Sequence, residues 1–74
     1  MEDRVKAIMA DIFTVDVSQI GAHTSMETLE AWDSLAQIDL VAALEEEFDI
    51  VFEVEDFELM TDFPLVMETL SEKL

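Results

Sequence analysis

The sequence contains no cysteine, only one glycine and one proline, and only three basic side chains among its 74 residues. Without cysteine, the chain can form neither a disulfide nor a thiolate metal site. The scarcity of helix breakers, together with many Leu, Glu, Ala and Met residues, favours helices over a turn-rich β fold. No stretch approaches the roughly 20 apolar residues that a membrane-spanning helix requires, so we expect no membrane partner.

The charged residues are almost all acidic, since nineteen Asp and Glu face only Arg4, Lys6 and Lys73. Nucleic acid and anionic membranes are poor candidate ligands, because binding their phosphates requires Lys and Arg. The charge instead predicts protein partners with basic patches, attracted over long range. The first residues mix charges of both signs and form no signal-peptide core, so we expect a cytoplasmic protein.

Apolar residues at helical spacing predict one all-α domain over residues 1–74, with three main helices and one short helix. We expect the main helices at Asp3–Phe13, Ser34–Phe48 and Phe63–Lys73, and the short helix at Glu55–Met60. Residues 50–54 have no strand to pair with and are predicted to be an extended connector. The predicted buried stripes of the first and last helices are Val5, Ile8, Met9 and Ile12, and Phe63, Val66, Met67, Leu70 and Leu74.

The central helix and the connection before it stand out in this pattern. Placed at about 100° per residue, the apolar side chains of the helix cover more than half of its circumference, which predicts packing against more than one neighbour. Leu35 and Ala42 lie at the edge of this arc, beside Asp39 and Glu46. The preceding connection of about 20 residues is unusually long. Within it, Thr24 and Glu27 match a capping box and predict a short helical turn.

The sequence offers little from which to build a catalytic or metal site. With no cysteine and a single histidine, only His23 could serve a nucleophile as a base, and we expect His23 to be an ordinary surface residue. The acidic residues do not form the D-x-[DN]-x-[DN]-G pattern of a calcium loop, so we expect no specific metal site. The sequence therefore argues against an enzyme.

The most informative stretch is Trp32-Asp33-Ser34-Leu35 at the start of the central helix. One interpretation is a helix start alone, with Asp33 or Ser34 as the N-cap and with Ser34 and Gln37 in an S-x-x-Q capping pattern. The other interpretation depends on the residues that follow. Residues 33–48, DSLAQIDLVAALEEEF, closely resemble the second helix of acyl carrier proteins, in which the serine of the Asp-Ser-Leu motif carries 4′-phosphopantetheine.

This resemblance extends over the whole chain through its length, acidity, long first loop and the Thr61-Asp62 start of the last helix. It implies a monomeric carrier on which Ser34 holds 4′-phosphopantetheine and acyl groups travel as thioesters. The implied partners are a phosphopantetheinyl transferase and acyl-processing enzymes with basic patches. The residues that would contact these partners are Asp33, Leu35, Asp39, Glu45, Glu46 and Asp56.

Three residues depart from the common fatty-acid carriers. Trp32 stands where those carriers have a smaller residue, and Ala36 stands where they often have an acid. Phe57 stands where the family has a small side chain near the acyl cavity. With Phe52, Met60 and Phe63 nearby, we expect a narrow gap between the second and third helices that shelters long acyl chains poorly. These departures suggest a specialised carrier, for example in polyketide, lipid-modification or envelope-assembly chemistry.

Two further functions remain open from the sequence. Aminoacyl and peptidyl carriers, of the D-alanyl or nonribosomal peptide type, share the fold and the serine. An acidic protein that mimics DNA and blocks a nucleic-acid-binding enzyme would use the charge but not Ser34.

Overall fold

The computed structural model describes all 74 residues and contains four α-helices and one 3₁₀ helix, but no β-strand. The helices are α1 (Glu2–Phe13), α2 (Ser34–Phe48), α3 (Val54–Leu59) and α4 (Phe63–Lys73), with the 3₁₀ helix at Val17–Gln19. The predicted all-α class is confirmed. Residues 50–53 form neither helix nor strand, as expected, whereas Val54 belongs to α3 and not to the predicted connector. None of the helices has both the length and the apolar character needed to cross a bilayer.

A single core of twelve buried apolar side chains holds the helices together. Its members come from all parts of the chain: Val5, Met9, Phe13, Ile20, Trp32, Leu40, Leu44, Phe52, Met60, Phe63, Val66 and Leu70. Most core residues of α1 and α4 belong to the buried stripes predicted for these helices: Val5 and Met9 in α1, and Phe63, Val66 and Leu70 in α4. Leu74, however, is 63% exposed, so its predicted burial is wrong, because the helix ends before it and no neighbour covers the chain there.

The long connection between α1 and α2 is held by hydrogen bonds, and the short helical turn predicted inside it is present. The Leu29 amide donates to the Ser25 carbonyl at 2.9 Å, and the Ser25 hydroxyl, rather than that of Thr24, accepts from the Glu27 and Thr28 amides at 3.2 Å. The Thr24 hydroxyl accepts from the Gly21 amide at 2.8 Å and donates to the Gln19 carbonyl at 3.1 Å, so it is not available to cap Glu27. The Phe63 amide donates to the Thr24 carbonyl at 2.9 Å. The connection is thereby fastened to the start of α4, which fixes its approach to α2.

The central helix α2 buries a narrower sector than the sequence predicted. Leu40 and Leu44 are fully buried, whereas Leu35 is 75% exposed and Ile38 is 55% exposed. The exposure of Leu35 agrees with its predicted place at the edge of the apolar arc, whereas the predicted burial of Ile38 is wrong, because no element of the fold, including the six-residue α3, covers it. The uncovered side is a continuous exposed band, here called the α2 stripe: Leu35, Ile38, Asp39, Ala42 and Glu46.

Candidate functional site: the start of helix α2

Ser34 is the first residue of α2, and Asp33 rather than Ser34 caps the helix. The Asp33 backbone is extended, and its carboxylate accepts from the Ala36 amide at 2.9 Å. This is the usual geometry of an N-cap aspartate. Ser34 is exposed, and its hydroxyl makes no hydrogen bond within the chain. The hydroxyl is therefore accessible and is not needed to start the helix.

The backbone around Ser34 suits an attached phosphate group. The first amides of a helix have no intrahelical acceptor. The Ala36 amide is satisfied by Asp33, while the amides of Ser34 and Leu35 find no acceptor in the chain. Free amides and the positive end of the helix dipole favour a phosphate at such a position. A phosphodiester on the Ser34 oxygen thus fits the local structure.

The sequence-based capping pattern between Ser34 and Gln37 does not form. Gln37 is buried, and its side chain turns away from the helix start. Its carboxamide oxygen accepts from the Trp32 indole at 2.7 Å, and its nitrogen donates to the Phe57 carbonyl at 3.1 Å and the Met60 carbonyl at 2.9 Å. Gln37 therefore joins the residues before Ser34 to the end of α3.

Trp32 lies in the core and is not exposed beside Ser34. It is only 1% exposed, and its ring stacks on Phe13 of α1 with centroids 5.3 Å apart. Together with the bond to Gln37, this contact fixes the backbone two residues before Ser34. Trp32 therefore packs against α1 and is bonded to α2.

The six residues expected to contact partners fall into two groups. Leu35, Asp39 and Glu46 are exposed on the α2 stripe, and Asp33 is exposed beside them as the helix cap. Glu45 instead accepts from the Phe52 amide at 2.8 Å and holds the connector after α2. The Asp56 carboxylate caps the Glu53 amide at 2.8 Å and pairs with Lys73 at 2.7 Å. The carboxylates of Glu45 and Asp56 are therefore already bound within the chain.

All three basic side chains also have partners within the chain. Arg4 pairs with Glu47 at 3.2 Å, Lys6 lies 5.6 Å from the centre of the Phe63 ring, and Lys73 pairs with Asp56. None of them neutralises Asp39 or Glu46. The α2 stripe consequently combines exposed apolar side chains with uncompensated negative charge.

The pairing with Lys73 gives Asp56 a pH-dependent role in stability. The Lys73 ammonium and the Glu53 amide, in that order, lower the pKa of Asp56 below its ordinary value of 3.8. Because this pKa is lower in the folded than in the unfolded chain, the stabilisation is present at neutral pH and is lost as the pH falls through the folded-state pKa. We expect Asp56→Asn to lower the melting temperature at neutral pH, and the difference from wild type to shrink in acid.

Melting curves over a series of pH values measure this effect. Asp39→Asn removes one charge from an exposed carboxylate without a hydrogen-bond partner and serves as the control. A difference for Asp56→Asn that persisted unchanged into strong acid would contradict the assigned role.

A small pocket lies between α2 and α3. Its volume is about 240 Å³, and it is lined by Val41, Phe52, Glu53, Val54 and Phe57. Ligand pockets typically measure roughly 300–1,000 Å³, so this one is small. Phe52 and Phe57, which are expected to narrow this gap, both line the pocket. Met60 and Phe63 do not line it, because both are buried in the core.

His23 is an exposed loop residue, as expected, and no group of acidic or histidine side chains is arranged to hold a metal ion.

The sequence analysis does not predict a role for Gln37, although the angular position of this residue on α2 indicates that it is buried. At about 100° per residue, Gln37 lies beside Leu40 and Leu44, inside the buried sector of α2.

The chain matches known proteins in two comparisons. Residues 3–62 match the family model described as "Phosphopantetheine attachment site", which covers both Ser34 and Gln37. The chain is also similar to the acyl carrier protein of Petrotoga mobilis, with 36% identity over 73 residues. The alignment covers 97% of this chain and 85% of that protein.

The first match defines the class of protein as a phosphopantetheine-dependent carrier. The chain belongs to the acyl carrier protein family. It is therefore a carrier of covalent 4′-phosphopantetheine and not an enzyme, as the sequence predicted. Members of this family interact in general with a phosphopantetheinyl transferase and with acyl-processing enzymes.

Proposed function

We propose that Ser34 is the residue that carries the arm, and that residues 1–74 act as one carrier domain that presents acyl groups to partner enzymes. The main support is that the Ser34 hydroxyl is exposed and free at the start of α2 while Asp33 caps the helix. The thiol at the end of 4′-phosphopantetheine binds acyl groups as thioesters. The chain itself supplies the anchor and the surface that partners recognise.

The α2 stripe is the surface best suited to those partners. It follows directly from Ser34 along the same helix, so a partner bound there is close to the arm. Leu35 and Ile38 offer apolar contact, while Asp39 and Glu46 attract basic side chains. Exposed ion pairs contribute only about 0.2–1 kcal/mol each, so binding should be weak and sensitive to salt. Such binding suits a carrier that visits several enzymes in turn.

Two neutralising substitutions test this surface. We expect Asp39→Ala and Glu46→Ala each to weaken binding of a phosphopantetheinyl transferase by about 0.2–1 kcal/mol, which is roughly 1.4-fold to 5-fold in Kd. The physical reason is the loss of one attraction to a basic patch on the enzyme. Titration at low and at moderate salt, for example by calorimetry, measures the change.

The matched controls are Glu68→Ala and Glu72→Ala on α4, which are exposed acids removed from the α2 stripe. They alter the net charge equally and should leave Kd almost unchanged at moderate salt. Equal weakening by all four variants would assign the attraction to overall charge and not to the stripe.

The direct test of the function is covalent loading. The unmodified protein is incubated with coenzyme A and a transferase of broad specificity, and the intact protein is weighed. We expect a mass increase of one phosphopantetheine group, located on the peptide that contains Ser34. A chain that stayed unmodified while another carrier was converted would contradict the proposal and favour the acidic DNA mimic.

The small pocket between α2 and α3 supports a proposal about the cargo. We propose a specialised acyl carrier, in fatty acid, polyketide or related lipid chemistry, acting in the cytoplasm. The pocket of about 240 Å³ favours a short chain over a long one. Aminoacyl or peptidyl cargo is the alternative, and offering the loaded protein to acyl-loading and aminoacyl-loading enzymes in parallel distinguishes the two.

A further inference from the structure

Helix α3 cannot be stable by itself, because it has only six residues and isolated helices of that length do not persist in water. Its first turn is held by reciprocal bonds between Glu53 and Asp56, and its middle is tied to α4 through the pair of Asp56 with Lys73. Its last turn requires partners for carbonyl groups that the helix leaves free. The position of α3 therefore depends on side chains from other elements.

Gln37 supplies the partners at that end. In a longer helix the Thr61 amide would bond the Phe57 carbonyl, but here it donates to the Leu59 carbonyl at 2.9 Å. The Gln37 carboxamide nitrogen instead donates to the Phe57 carbonyl at 3.1 Å and to the Met60 carbonyl at 2.9 Å. A residue of α2 thus caps the end of α3 from inside the protein.

The oxygen of the Gln37 carboxamide is also held by a hydrogen bond. The Trp32 indole donates to the Gln37 oxygen at 2.7 Å, and Trp32 and Gln37 are only 1% and 2% exposed. Both amide hydrogens are engaged, so Gln37 has no spare donor with which to replace a lost bond to α3. Breaking either contact with α3 would leave a buried polar group without a partner, which is unfavourable.

The hydrogen bond from Gln37 to the Phe57 carbonyl positions one wall of the small pocket. Phe57 offers its carbonyl to Gln37 and its side chain to the pocket between α2 and α3. The opposite wall includes Val41, which lies one helical turn after Gln37 on α2. Moving α3 away from α2 would therefore draw the Phe57 carbonyl away from the Gln37 nitrogen.

We propose that Gln37 is a specificity-determining residue that holds α3 against α2 and thereby limits the length of acyl chain that the carrier can shelter. This inference rests on the proposed function, because it assumes that cargo is carried on Ser34. Gln37 contacts neither the arm nor the cargo. It acts through the position of Phe57.

The first test loads the protein with butyryl, octanoyl and dodecanoyl phosphopantetheine and compares melting temperatures with the unacylated holo form. In wild type we expect the butyryl chain to raise the melting temperature and the dodecanoyl chain to add nothing further. In Gln37→Met, which keeps the length of the side chain but cannot donate, we expect the melting temperature to rise steadily with chain length.

Trp32→Phe is the matched control. It removes the indole donor to Gln37 but leaves both bonds from Gln37 to α3 available. We expect it to be less stable than wild type and to keep the wild-type dependence on chain length. The same steady rise in both variants would assign the effect to general loosening of the core and would overturn the proposal.

A second measurement needs no variant and decides the matter if Gln37→Met does not fold. The sequence contains two glutamines, no asparagine and one tryptophan, so the side-chain amide signals of Gln37 and Trp32 are readily assigned by NMR. We expect the Gln37 amide protons to exchange slowly with solvent in the holo, butyryl and dodecanoyl forms. Contacts of a dodecanoyl chain with Val41 and Phe52, made while the Gln37 bonds stay intact, would overturn the proposal.

The two hypotheses fail in different ways. A chain that takes no arm on Ser34 contradicts the proposed function, and the inference with it. A chain that is loaded on Ser34, but whose Gln37→Met variant shows the wild-type dependence on acyl length, retains the proposed function and contradicts only the role of Gln37.

Discussion

Ser34→Ala is expected to abolish the mass increase on incubation with coenzyme A and a transferase, while leaving the stability of the protein nearly unchanged. We expect no other side chain to take over the attachment, because Ser34 is the only hydroxyl residue in the first turn of α2. The free energy of unfolding should change by no more than about 0.5 kcal/mol, since Ser34 is exposed and its hydroxyl makes no bond within the chain. Intact-mass measurement and urea denaturation give the two results.

Asp33→Ala and Ser71→Ala complete this experiment. Asp33→Ala removes the observed N-cap and should cost about 0.5–2 kcal/mol of stability. Ser71→Ala removes an exposed hydroxyl from α4 and should be loaded like wild type. A large loss of stability in Ser34→Ala would favour the helix-cap interpretation of the serine. Loading of Ser34→Ala at the wild-type level would contradict attachment at this residue.

The helix ends could be predicted from sequence because the groups that fix them are close in the chain. Asp33 caps α2 through an amide three residues later, and Asp62 caps α4 through the Leu65 amide in the same way. Pro64 lies in the first turn of α4, where its missing N–H costs nothing. These are local arrangements, so the predicted bounds of α2 and α4 are those observed.

Only part of the exposed side of α2 could be predicted in this way. A helical wheel gives the direction of Leu35 and Ile38 but not the extent of the element that covers them. The neighbouring α3 is too short to do so. The edge position predicted for Leu35 and Ala42 is therefore confirmed by their exposure, whereas the predicted burial of Ile38 is wrong.

The internal roles of three polar residues depend on distant parts of the chain. Gln37 bonds carbonyls 20 and 23 residues away, Glu45 holds the connector seven residues later, and Asp56 pairs with Lys73 on α4. A resemblance to a family assigns acidic residues to a partner surface as a group. Only the fold separates the carboxylates that are free, Asp39 and Glu46, from those already bound.

Trp32→Ala is expected to destabilise the protein by about 3–5 kcal/mol, as is usual when a buried aromatic side chain is removed. The substitution leaves a cavity beside Phe13 and deprives the Gln37 oxygen of its donor. At about 0.05–0.15 kcal/mol per residue, a 74-residue domain has a total stability of about 4–11 kcal/mol. The variant should therefore be marginally folded, or unfolded, at room temperature.

Urea denaturation followed by far-ultraviolet circular dichroism measures this loss, because the variant no longer contains the only tryptophan. Leu59→Ala is the control, since Leu59 is 56% exposed and its removal should change stability by no more than about 0.5 kcal/mol. Trp32→Phe should lie between the two, because it keeps a ring against Phe13 but loses part of the buried ring volume and the bond to Gln37.

The same series tests how the attachment point is supported. Trp32 lies two residues before Ser34 and fixes the approach of the loop to α2 through Phe13 and Gln37. Trp32→Phe, if folded, should still be loaded by the transferase, because the α2 stripe and the Asp33 cap are unchanged. Loading of Trp32→Ala should fall with the folded fraction and recover at temperatures where the variant folds. A fully folded Trp32→Ala that was not loaded would instead mean that Trp32 acts directly in recognition, which its burial in the core argues against.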